Sequence, residues 1–205
     1  MRRYAIVIAM LTCACGETPM VIEPPLELGI AADCNPLASS TQCLYPFPSR
    51  FFQAPDASTE TGVRNAFHDR ALPVPADALP IDMAPFNARD GHPPSAPLLV
   101  HLGVDVSPDQ LSGEASVART LEASAPIALI DRATGDRVPL LTEMDRNYRM
   151  AGYEGQHVLL IRPMTPLEQG HRYVAVLTTA LRDAGGNEIA APRGFAALRD
   201  GRETD

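Results

Sequence analysis

Leu167-Glu168-Gln169-Gly170-His171-Arg172-Tyr173 sets Leu, Gly and Tyr at three-residue steps, and Val174-Ala175-Val176-Leu177-Thr178 follows directly. The first part reads as a turn through Gly170. The second reads as a strand, with Tyr173, Ala175 and Leu177 on one face and Val174 and Val176 on the other. Working outward, Arg162-Pro163-Met164-Thr165-Pro166 connects this corner to an earlier strand, His157-Val158-Leu159-Leu160-Ile161. Leu98-Leu99-Val100-His101-Leu102-Gly103-Val104 and Pro126-Ile127-Ala128-Leu129-Ile130-Asp131 read as two more. Ala133-Thr134-Gly135-Asp136 is a turn, and Arg137-Val138-Pro139-Leu140-Leu141-Thr142 is expected to pair back across it as a hairpin. Asp183-Ala184-Gly185-Gly186-Asn187 is another turn, and Gly194-Phe195-Ala196-Ala197-Leu198 is expected to be the last strand. Residues 109–122 and 145–154 are each open to a short helix. Short strands separated by turn signals make the fold class all-β, with an antiparallel β-sandwich over residues 98–200 and a polar tail at 201–205.

The corner Leu167, Gly170, Tyr173 resembles the tyrosine corner of immunoglobulin-like sandwiches, in which the Tyr hydroxyl bonds to backbone a few residues upstream. More widely, Pro163, Pro166, Leu167, Gly170, Tyr173, Asp183, Gly186, Asn187 and Phe195 resemble the repeat pattern of bacterial immunoglobulin-like domains in surface-layer and lipase-associated proteins. Upstream, Cys43-Leu44-Tyr45-Pro46-Phe47-Pro48-Ser49, Thr61-Gly62-Val63-Arg64 and Asn87-Ala88-Arg89-Asp90-Gly91 resemble the non-catalytic N-terminal region of large secreted bacterial proteins. Those proteins continue into a lipase-like α/β-hydrolase domain. The resemblance spans about residues 34–200 and implies that such a domain would follow Asp205.

The amino end supplies an address. Arg2 and Arg3 precede the apolar run Tyr4-Ala5-Ile6-Val7-Ile8-Ala9-Met10-Leu11, the layout of a secretory signal peptide. The run is far shorter than the roughly 20 residues a membrane-spanning helix needs. Leu11-Thr12-Cys13-Ala14-Cys15-Gly16 resembles the lipobox of bacterial lipoproteins, whose acylated Cys becomes the new N-terminus. Cys15, preceded by the small Ala14, is the preferred lipidation site, with Cys13 the alternative. An ordinary cleaved signal peptide is the competing reading. Residues 1–14 are then the signal peptide and residues 15–33 a tether broken by Pro19, Pro24 and Pro25. Gly16 after the acylated Cys implies the outer membrane or cell surface by resemblance to lipoprotein sorting. The anchor is the expected membrane contact, at roughly 0.8 kcal/mol per buried methylene.

Composition narrows the function. All 17 basic residues are Arg and the formal charge is −8, a poor basis for binding nucleic acid. Losing Arg2 and Arg3 would take the charge from −8 to −10, which also argues against anionic headgroups as a partner for the domain surface. Apolar residues make up 45% of the chain, enough to build a core rather than a disordered polymer. Residues 34–97 are Pro-rich and expected to be irregular, wrapping the neighbouring domain. Cys34 and Cys43 are the remaining pair in an oxidising compartment and are expected to form a disulfide worth about 2–3 kcal/mol.

Nothing in the sequence supplies a catalyst. No Gly-x-Ser-x-Gly elbow occurs, and Ser112-Gly113-Glu114-Ala115-Ser116 has the wrong order. Asp90, His92 and Ser95 are three neighbours in a Pro-rich loop, an improbable triad. His68, His92, His101, His157 and His171 show no zinc-binding spacing. Asp77, Asp82, Asn87, Asp90 and Asp105 are hard-oxygen candidates for calcium, of which Asn87 and Asp90 are the foremost, though Asn87 to Gly91 reads more simply as a turn. The expectation is a non-enzymatic, lipid-anchored envelope protein without cofactor or metal. Its partner would be an unknown envelope protein or a downstream domain. The alternative is the accessory domain of a secreted hydrolase.

Overall fold

A computed structural model describes residues 24–37, 43–72, 81–146 and 157–204. Cys13, Cys15, the signal segment, the start of the tether, Asp77 and most of the 145–154 stretch lie outside the described residues. Seven short strands carry the fold: β1 Gln53–Pro55, β2 Val63–Asn65, β3 Leu98–His101, β4 Ile127–Asp131, β5 Leu140–Asp145, β6 Val158–Pro163 and β7 Tyr173–Leu177. Among the described residues every ladder is antiparallel, and helix is confined to α1 Ala84–Asn87, α2 Arg193–Asp200 and short 3-10 turns. The all-β expectation therefore holds.

Two sheets enclose one core. The larger has the order β3-β6-β5 and the smaller is β4-β7. Leu140, Leu159 and Ile161 from the first and Ile127 and Leu129 from the second are almost wholly buried in one apolar cluster. Along β5 the buried side chains fall every second residue, which is how the pleat turns one face inward, whereas on β4 every residue but Ile130 is buried. Leu167, Tyr173 and Leu177 pack against the same cluster from the corner.

The expected hairpin at residues 133–136 is only half realised. The turn closes, with Asp131 N–H donating to the Asp136 carbonyl at 2.9 Å, and Arg137 makes one bridge to Ile130. The chain then leaves. Pro139 has no N–H to extend a ladder, and from Leu140 the strand pairs with β6 in the other sheet. The last expected strand, residues 194–198, is a correction: it lies within helix α2. Ala196, Ala197 and Leu198 are strong helix formers, Pro192 suits the entry, and Gly201 at φ 67° supplies the left-handed cap. The 109–122 stretch does hold helix, as 3-10 turns at Pro108–Gln110 and Glu114–Leu121.

The Pro-rich segment, expected to be irregular, carries the antiparallel pair β1-β2 and helix α1 between irregular stretches, and it is anchored. The disulfide Cys34–Cys43 closes its first loop. Fully buried Asn35 ties that loop to the Pro46 carbonyl at 3.2 Å. Phe47 exchanges two backbone hydrogen bonds with Leu99, at 2.9 and 2.7 Å, and so covers the outer edge of β3. The tether also becomes docked chain: Leu26 bridges Thr204, and the Arg193 guanidinium donates to the Glu27 carbonyl at 3.0 Å. Residues 24–33 and the tail thus pack together beside α2.

Candidate functional site

The corner at residues 167–173 gathers a polar cluster beside the sheets. Gly170 takes φ 76°, a left-handed turn open to glycine. The chain then reverses, and Tyr173 lands directly opposite Asp131 in the β4-β7 register. The Tyr173 hydroxyl accepts a hydrogen bond from the Glu168 N–H at 2.9 Å, five residues upstream. The His171 Nδ1 lies 2.6 Å from Asp131 Oδ2. The other carboxylate oxygen of Asp131 accepts from the Ala133 N–H at 2.7 Å and so braces the 133–136 turn. Asp131 is 6% exposed, so its charge is held by fixed donors rather than by bulk water.

The electrostatics follow from these bonds. The hydrogen bond to Asp131 raises the His171 pKa, with the nearby Asp131 and Glu168 charges adding to it and desolvation opposing it. The same bond, helped by the Ala133 N–H, lowers that of Asp131. Burial raises the Tyr173 phenol above its usual value. His171 therefore contributes stability that is full below about pH 6.5 and is lost as pH rises through its raised folded value.

His92 acts in the opposite sense. It stands edge-on to Phe47 with ring centroids 5.2 Å apart, beside Phe67 at 6.4 Å, and burial depresses its pKa. It opposes folding as pH falls below about 6.5, because the unfolded chain then binds the proton more readily. Urea titrations of the His171→Gln variant should accordingly show a stability deficit at pH 5.5 that shrinks by about pH 8.5. A deficit that grew with pH would sink this assignment.

A second pair lies elsewhere. Asp105 accepts the His157 N–H at 2.8 Å and sits 2.8 Å from His157 Nδ1, fixing the start of β6 against the segment after β3. A third polar group lines a cleft of about 140 Å³ bounded by Ser112, Arg119, Thr120, Glu122 and Thr142. Its hydroxyls are spent on structure. Ser112 donates to the Leu140 carbonyl at 2.8 Å, Thr120 accepts from the Leu140 N–H at 3.1 Å, and Thr142 accepts from the Ser112 N–H at 2.8 Å.

The other residues singled out by sequence are dispersed. Asn87 gives both ends of its amide to the Phe67 backbone, at 2.8 and 3.1 Å. Asp90 offers its carbonyl to the Thr61 hydroxyl at 2.9 Å. Among the described residues, no group of three or more His, Cys, Asp or Glu side chains comes together in a way that could hold a metal ion. None of the described hydrogen bonds joins His92 to Asp90 or Ser95. Sequence reading missed the pairs His171–Asp131 and His157–Asp105, because 40 and 52 residues separate their members. No family model, curated protein or solved structure matches the chain. Among the described residues, no helix is long and apolar enough to cross a membrane.

The corner has a direct test. Tyr173→Phe removes only the hydroxyl, and the exposed Glu168 N–H can turn to water, so the expected loss is about 1 kcal/mol. For a chain of this size that is roughly 2–4 °C in Tm. An unchanged Tm in differential scanning calorimetry would show that the bond carries no stability.

Proposed function

We propose that this chain is a lipid-anchored protein of the bacterial cell envelope, with an immunoglobulin-like sandwich over residues 98–200 that serves as a binding or structural module. The observation that carries the fold part is the joint occurrence of strand order and corner. With the five strands lettered B to F in chain order, β3-β6-β5 corresponds to B-E-D and β4-β7 to C-F. These are the neighbour relations of the immunoglobulin sandwich, including the C-to-D crossing between sheets. The Tyr173 bond to Glu168 has the form of a tyrosine corner at the start of strand F.

The non-catalytic part of the reading is supported by how the polar side chains are used. His171, Asp131, His157, Asp105, Ser112 and Thr142 each bind a turn or a strand end. The anchor rests on Arg2, Arg3, the apolar run and Cys15 or Cys13. Intact-mass measurement of the product from its own cells tests it. The expected species has lost the leader and gained acyl chains, and Cys15→Ser abolishes the gain. Acylation surviving Cys15→Ser but lost in Cys13→Ser moves the anchor to Cys13. A cleaved, unacylated product removes the anchor from the proposal. Hydrolysis of short-chain esters by the purified chain would overturn the non-catalytic assignment.

One observation favours the second reading, an accessory domain of a secreted hydrolase. On α2, Phe195 and Leu198 lie three residues apart and are 45% and 69% exposed. That is apolar surface on one side of the last helix, suited to packing against a further domain. A native species much heavier than 22.0 kDa would support it.

A further inference from the structure

Three of the four outer edges of the two sheets are closed by chain that belongs to neither. Phe47 pairs with Leu99 along β3. The Ser112 carbonyl and the Thr120 hydroxyl accept the outward N–H groups of Thr142 and Leu140 on β5. The Asp136 carbonyl and the Val138 N–H take the outward groups of Asp131 and Leu129 on β4.

The fourth edge is different. Thr178 donates to Pro126 and Arg132 donates to Arg172, which fixes the alternation of the β4-β7 ladder. Val174 and Val176 therefore face β4 with their backbone groups, and Tyr173, Ala175 and Leu177 turn theirs away. Among the described residues, nothing pairs with these outward N–H and C=O groups. The strand contains none of the usual protections, neither Pro nor a charged side chain. Val174 is 43% exposed beside it.

We propose that β7 pairs edge to edge with β7 of a second copy of this chain, antiparallel about Ala175. The two β4-β7 sheets then become one four-stranded sheet. The strand is self-complementary in this register. Ala175 meets Ala175 of the second copy and Tyr173 meets Leu177, so every outward donor finds an acceptor. Val174 falls opposite Val176 at the non-hydrogen-bonded positions, where side chains approach most closely. A twofold pairing of this kind closes at two copies.

The test is sedimentation equilibrium of the full chain in density-matched detergent, at about 0.5 M salt to screen the repulsion between two acidic chains. The expected mass rises from one copy to two between micromolar and millimolar concentration. Ala175→Pro removes an outward N–H and leaves the β4 ladder intact, so it should weaken association at least tenfold. Val174→Lys places a charge at the same edge on an exposed side chain and should do the same should the proline variant fold poorly. A single copy at every concentration overturns the proposal and leaves the edge to a strand from another protein. A dimer that both variants leave intact, or assembly beyond two copies, overturns it as well.

Discussion

Leu140→Ala is expected to cost about 2–5 kcal/mol, the range for emptying a fully buried leucine site. Leu140 has no exposed area and stands where β5 meets the shared core of the two sheets. Its neighbours are poorly placed to fill the void. The Leu140 N–H donates to the Thr120 hydroxyl and its carbonyl accepts from Ser112. The backbone is thus tied at both sides and resists collapse into the cavity. Urea unfolding, read by circular dichroism, measures the change. Met164→Ala is the control, because Met164 is 47% exposed and should shift stability by less than about 0.5 kcal/mol. Equal losses for both would mean that Leu140 is not part of a fixed core.

Gly194→Ala is expected to destabilise the chain by about 1–3 kcal/mol, against the sign of helix propensity. In an open helix the exchange would gain up to about 1 kcal/mol. Here a Cβ built on Gly194 falls 1.8 Å from the Pro36 carbonyl oxygen and 2.9 Å from its carbon. Both are backbone atoms of the segment that the disulfide closes, so no side chain can swing aside. Helix α2 must move off the Cys34–Cys43 loop. Proteolysis of residues 24–37 should accelerate together with the fall in the urea midpoint. A stabilised variant would show that α2 does not rest on Pro36 in solution.

The strands were legible where the signal is local. Leu159 and Ile161 alternate on β6, and Tyr173 and Leu177 alternate toward the core on β7. A buried face imposes that period directly on the residue order. The turn at residues 183–187 was equally readable. Asp183 accepts from the Gly185 and Asn187 N–H groups, both at 2.8 Å, and Gly186 takes φ 83°. The helix at Arg193–Asp200 was misread because eight residues containing Phe, Ala and Leu carry too little periodicity to separate helix from strand. Its caps, Pro192 and Gly201, were the available signal. Pro139 was likewise the available clue that the hairpin would not continue.

The amino-acid sequence alone determined the all-β class, the position of most strands, the Cys34–Cys43 pairing and the corner geometry around Tyr173. Each depends on period, turn chemistry or elimination among a few cysteines, and these act over short separations. Tertiary structure decided the rest. It sent β5 to the sheet opposite β4, set His171 on Asp131, seated α2 on Pro36 and, among the described residues, left the outer edge of β7 without a partner. Those outcomes depend on which distant backbones meet, and a donor or acceptor in an extended chain does not specify its partner until packing brings one within reach.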